Sequence, residues 1–407
     1  MASAIKRRTR LPKHSDIDAL VQGLTDFQRE ARVEELLKAA LTEPLPTEEK
    51  LRQVEQALET CGRFGLFGKD DARDLHMLMT IGRTYERLSH LEKAYEIYET
   101  ALALAERLKD AGGRAALLNR MGRVLSRWDR WREALDYLSR GLDAFRALGD
   151  ERGQAGVLLN RGIVFQEQGD YEAATEAYEM AIELGHRVGD RKVVANASNN
   201  LAVLATIRGD FDDAVSRYQT CLAMFQEAED DLGLARTYHN LGMTYADRGI
   251  WKTAMDCYER GFGIAQRLGT LDVMANIYLS RAELLLELGD SSMAASCCAR
   301  ALDVYRKTGN RLGEADTYRV LGRVFMAQGQ WTTAASLFKD SLRLNVEYSK
   351  PLNVAEAYRD LGKMQGAMGH TAEARASFEA ALAGFQKLRA KEDAAGVEGL
   401  IEALGRA

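Results

Sequence analysis

Proline and cysteine are scarce in this chain, with 4 and 5 copies in 407 residues. An odd number of cysteines without CxxC spacing excludes a disulfide framework and fits a reducing compartment. So few prolines, beside 35 glycines and 28% charged residues, exclude collagenous and disordered classes. No run approaches 18 uncharged apolar residues, so no membrane span is expected. The first 14 residues are basic but lack the apolar stretch of a secretory signal, which makes a cytoplasmic location the expectation. The six histidines are scattered, and no GxxxxGK[ST], HExxH, GxSxG, EF-hand or kinase-type motif occurs. The sequence therefore offers no catalytic residue, metal site or cofactor, and the protein is not expected to be an enzyme. A net charge of -5 argues against dedicated nucleic-acid binding. Lys6, Arg7, Arg8, Arg10 and Lys13 leave open whether the tail is a targeting patch or a soluble end.

What the chain does have is a hydrophobic content of 46% and a strict period. Sliding the sequence on itself by 40 aligns Gly82, Gly122, Gly162, Gly242, Gly322 and Gly362, with Ala202 and Ala282 filling the two gaps. Twelve residues on stands an unbroken alanine column from Ala94 to Ala374. Eight units of 40 thus run from Asp74 to Asp393 without insertion or deletion. Inside a unit the apolar residues follow helical spacing, as in Leu158, Gly162 and Phe165, then Tyr171, Ala174, Tyr178 and Ala181. Turn chemistry such as Gly169-Asp170 separates the two helices. A lone helical hairpin cannot bury both faces, so successive hairpins must stack.

These columns resemble the tetratricopeptide repeat pattern, seen here as Tyr238, Leu241-Gly242, Tyr245, then Ala254, Tyr258 and Gly261. The 40-residue length is similar to the arrays of Pins-like scaffolds, rapsyn and kinesin light chains, as is the inter-repeat turn at Leu148 to Gly153 and Thr308 to Gly313. The resemblance implies an all-α, right-handed superhelical solenoid of helix-turn-helix repeats. It divides the chain into a basic tail (1–14), an N-terminal helix with a degenerate repeat (15–73), eight repeats (74–393) and a capping helix (394–407). Ser15 to Glu30 reads as the N-terminal helix, Pro44 and Pro46 shorten the degenerate repeat, and Val397, Leu400, Ile401 and Leu404 form the stripe of the C-terminal cap.

Cys61, Cys221 and Cys298 fall in core columns, and Cys257 and Cys297, 40 apart on adjacent units, are expected to lie beyond disulfide reach. Trp131, Trp251 and Trp331 share a column with Leu91, Tyr171 and Phe211 and read as packing residues. Trp128 sits in a mostly polar column, so it is either an interface anchor or a lid over Trp131.

In the resembled family the first helix of each repeat lines a concave groove, and positions two and six before the glycine, with those just after it, touch ligand. The position two before the glycine carries Asn160, Asn200 and Asn240 in succession. A carboxamide ladder can hold an extended backbone, being both donor and acceptor. Arg83, Arg87, Arg120, Arg123 and Arg127 point into the groove from repeats 1 and 2, with Asp247, Glu283 and Glu287 further along and a mixture in repeats 7 and 8. Trp128, with Asn199 and His239 beside the ladder, completes the candidate set. This implies a scaffold or adaptor holding an extended, partly acidic peptide. Two other readings are a peptide-responsive regulator of the bacterial quorum-sensing type and an architectural subunit of a larger motility or cytoskeletal assembly.

Overall fold

A computed structural model describes residues 31–33, 35–39, 47–63, 71–88, 90–348 and 350–406. All its regular elements are α-helices. Eight hairpins follow one another without a break in period. They pair Asp71–Arg87 with Leu91–Leu108, Ala111–Arg127 with Trp131–Leu148, Glu151–Glu167 with Tyr171–Arg187, and Arg191–Arg208 with Phe211–Glu227. The other four pair Asp231–Asp247 with Trp251–Leu268, Leu271–Glu287 with Ser291–Thr308, Arg311–Ala327 with Trp331–Glu347, and Pro351–Ala367 with Thr371–Lys387. We number these repeats 1 to 8; each begins three residues ahead of the 40-residue frame read from the sequence. Helix Thr47–Arg63 precedes them and helix Lys391–Arg406 follows. The expected helix at Ser15 to Glu30, the Pro44-Pro46 segment and the side chain of Cys61 lie outside the described residues.

The glycine and aromatic columns explain why the hairpins close. A Cβ on Gly162 would stand 2.4 Å from Cε1 of Tyr178, and one on Gly242 would stand 2.6 Å from Cε1 of Tyr258. Glycine therefore lets the ring of the second helix lie on the backbone of the first. Tyr98, Tyr178, Tyr218 and Tyr258 are all fully buried in this position. Ala202 faces Tyr218 and Ala282 faces Cys298 in the same core clusters. Between repeats the turn works by capping. The carboxylates of Asp150 and Asp230 accept from the backbone N–H of Gly153 and Gly233, and Asn310 does the same for Gly313. Such caps contribute about 1 kcal/mol each.

The chain divides into two compact units, Met1–Asp110 and Ala111–Ala407. In the first, Tyr98 donates to buried Glu86 at 3.1 Å, and Lys93 pairs with Glu55 at 2.8 Å. In the second, repeats 2 to 8 and the last helix curve until the end meets the beginning. Ile207 of repeat 4 packs into the core formed by Phe378, Phe385 and Val397. The turn at Gly169 lies against Leu388 and Pro351, and Gly209 against Glu392. Lys350 holds this closure from one side: its ammonium pairs with Glu167 and stands 4.7 Å over the Trp131 ring. Arg389 and Glu172 pair across the same seam at 2.5 Å. Val397 is buried and Leu400, Ile401 and Leu404 are half-buried, and this seam covers part of the stripe they form. No described helix is long and apolar enough to cross a membrane.

Candidate functional site

Because the second unit closes on itself, its inner face becomes the wall of a cavity of about 910 Å³. The first helices of repeats 3 to 8 and the start of the last helix line it. That is the upper end of the roughly 300–1,000 Å³ range of ligand sites. Its two sides differ. Val203, Ile207 and Phe211 of repeat 4, with Met243 and Trp251 of repeat 5, form an apolar stretch. Met243 and Trp251 are 41% and 42% exposed. Opposite stand the charged first helices of repeats 6 to 8. Nine carboxylates and five cations reach the cavity in all.

Most of those charges are tied to one another. Arg319, 6% exposed, pairs with Glu283 at 2.7 Å, Asp360 at 3.1 Å and Glu356 at 3.2 Å. Arg323 pairs with Glu287 at 2.5 Å, and Arg359 with Asp393 at 2.5 Å. Asp316 accepts from Nδ2 of Asn353 at 2.6 Å. Burial pushes the Asp316 carboxyl up to about 6 despite the attraction of Arg319. Burial also opposes the charge of Asp360, yet Arg319 and Arg359 hold its carboxyl below the ordinary range. Asp247 differs: it lines the cavity without an ion pair or hydrogen bond. Desolvation, then the charges of Glu283, Asp393 and Glu356, raises its carboxyl, with Arg359 opposing.

The asparagines expected to form a ladder separate. Asn160 is buried and donates to Oδ1 of Asn119 at 2.8 Å, a link between the first helices of repeats 2 and 3. Asn199 is also buried and accepts from Thr237 at 3.0 Å. Asn200 lies beside the hydroxyl of Tyr178, which donates to Oε1 of Gln166 at 2.9 Å. Asn240 lines the cavity, and its carboxamide has no partner within the described chain. His239 also lines it, 2.9 Å from Oγ of Ser280. Burial pushes its imidazole down to about 4, so the ring is neutral at pH 7.

None of the expected arginines reaches this cavity. Arg83 and Arg87 belong to the first unit, where Arg83 donates to Thr80 at 2.9 Å. Arg120, Arg123 and Arg127 lie on the first helix of repeat 2. Trp128 is half-buried in the turn after them, with the Arg130 guanidinium 5.0 Å over its ring. Trp131 is buried as expected, at 6% exposure. Trp251, expected to pack, requires correction: it follows the turn of repeat 5, where the wall of the cavity leaves one side of its ring open. Periodicity could not reveal this, because Trp131 and Trp251 occupy the same column. Cys221, Cys257, Cys297 and Cys298 are buried free thiols.

The sequence profile of the MalT-like TPR region matches residues 189–390, and the tetratricopeptide repeat profile matches 73–147 and 115–187. The chain is a tetratricopeptide repeat protein. No curated protein sequence matches it significantly. Among solved structures, a Rap protein complexed with competence and sporulation factor superposes with a TM-score of 0.63 at 12% identity. That match covers 89% of this chain and 99% of the other. The Rap conjugation gene regulator of plasmid pLS20 with the Phr* peptide gives 0.60 at 11% identity, covering 89% and 96%. NprR with its cognate peptide NprX gives 0.58 at 16%, covering 87% and 98%. At these identities the likeness is one of fold.

Proposed function

We propose that this tetratricopeptide repeat protein is a non-enzymatic adaptor that receives an extended peptide segment of a partner in the cavity of its second unit. The observation carrying this reading is Asn240, an unpaired carboxamide on the inner wall of a large, partly apolar cavity. It has the donor and acceptor needed to hold a peptide backbone. Support also comes from the similar folds of the Rap and NprR structures, which contain peptides. The acidic partner expected from the sequence rested on arginines of repeats 1 and 2. The cavity's excess of carboxylates favours the opposite charge for whatever enters it.

A photo-crosslinking amino acid placed at Met243, inside the cavity, tests this against one at Met293, exposed on a second helix outside it. Partner peptides crosslinked from position 243 in native lysate and not from 293 are expected. Crosslinks from 293 alone would favour the architectural reading.

A second reading makes the protein a peptide-responsive regulator. The division into Met1–Asp110 and Ala111–Ala407 favours it, since one unit can hold the ligand while the other acts. An interface of Met1–Asp110 whose partner affinity changes with cavity occupancy is the outcome expected of it.

A further inference from the structure

Within the cavity, repeat 5 alone presents a coherent stripe with nothing attached. Asn240, Met243 and Asp247 stand three and four residues apart on helix Asp231–Asp247, so they share one face. Trp251 begins the next helix beside them. In repeat 6 the matching positions are engaged: Ser280 with His239, Glu283 with Arg319, Glu287 with Arg323. In repeat 7 they are Val320, Arg323 and Ala327, of which Arg323 is paired. Lys363 of repeat 8 makes no ion pair but lies in the field of Asp360. Asp247 instead faces the like charges of Glu283, Glu356 and Asp393, a repulsion that a cation entering the cavity would relieve.

Resting on the peptide reading above, we propose that repeat 5 anchors a segment carrying a lysine or arginine next to a large apolar side chain. Asn240 holds its backbone, Met243 and Trp251 take the apolar side chain, and Asp247 takes the cation. The Trp251 face adds a cation–π surface for the same group. A mixed lining of this kind selects by charge and by apolar contact together, because a carboxylate already crowded by like charges favours a basic segment and disfavours an acidic one.

The test is selection of a displayed library of random heptapeptides on the full-length protein, followed by affinity measurement with fluorescein-labelled versions of the enriched peptides. Expected are peptides with Lys or Arg adjacent to Leu, Met, Phe or Trp, weakening as salt rises. Asp247→Asn should bind them at least tenfold more weakly, and Asp247→Lys should shift enrichment to acidic peptides. Asp247 has no partner to lose among the described residues, so both variants should keep the helical circular dichroism of the parent, and neither should lower its urea midpoint. Enriched peptides indifferent to Asp247→Asn but lost in Arg120/Arg123/Arg127→Ala would overturn this inference and leave the peptide reading standing. Failure of any heptapeptide to enrich over a protein-free surface would overturn both.

Discussion

The first helices of repeats 5 and 7 stand in the same 40-residue register and face the same cavity, yet they treat charge in opposite ways. Repeat 7 places Arg319 where repeat 5 has His239, and three carboxylates from repeats 6 and 8 close around it. Repeat 5 places Asp247 where repeat 7 has Ala327, and among the described residues no cation pairs with it, Arg359 acting only from a distance. The first arrangement joins three repeats into one charged wall. The second leaves an unpaired group beside exposed apolar surface. Charges in a groove thus mean different things depending on whether the neighbouring repeats satisfy them. Buried and paired, as around Arg319, they hold repeats together; exposed to the cavity and unpaired, as at Asp247, they are open to a ligand.

The largest effect should come from breaking the paired wall. Arg319→Met leaves Glu283, Glu356 and Asp360 facing one another without their shared cation, and should cost about 3–5 kcal/mol in urea unfolding. A loss below about 1 kcal/mol would erase the distinction between the two repeats. The same wall should show its own pH dependence. The folded Asp316 carboxyl sits at about 6, above its unfolded value, so its stabilisation is complete below the unfolded pKa and fades as pH rises toward 6. The stability of the parent relative to Asp316→Asn should therefore fall between pH 4 and 6, by up to about 3 kcal/mol at 1.36 kcal/mol per unit. A difference that stays flat across that range would place Asp316 outside the wall's electrostatics.

Lys350→Ala tests whether closure of the second unit depends on a single side chain. Removing its contacts to Glu167 and Trp131 should cost about 1–2 kcal/mol and raise the radius of gyration in small-angle scattering. Closure that survived unchanged would assign the seam to Ile207 and the Gly169 turn instead. The smallest effect belongs to repeat 5. Asp247→Asn removes a charge repelled by Glu283, Glu356 and Asp393, so at pH 7 it should stabilise slightly, by no more than about 1 kcal/mol because the side chain is exposed. A large destabilisation would show that Asp247 is paired after all.

Much of this was legible in the sequence. The glycine and alanine columns identified every hairpin of the array, and the inter-repeat turns read at Leu148 to Gly153 and Thr308 to Gly313 are where Asp150 and Asn310 cap the next helix. Reading positions around the glycine also found Asp247, Glu283 and Glu287 and the mixed charges of repeats 7 and 8, which line the cavity. The ladder was only partly legible. Asn160, Asn200 and Asn240 share a column, but Asn119 takes up the first and Tyr178 stands beside the second, and neither of these neighbours is in that column.

By itself the sequence determined the repeat, the hairpin and the order of stacking, because these rest on contacts within 40 residues or between adjacent repeats, and a period records such contacts directly. Only the tertiary structure decided where the solenoid closes. Lys350 meets Glu167 and Ile207 meets Phe385 through curvature accumulated over five repeats. No local pattern encodes that sum of small rotations, and it is the closure that turns an open inner face into a walled cavity with Asp247 unpaired inside it.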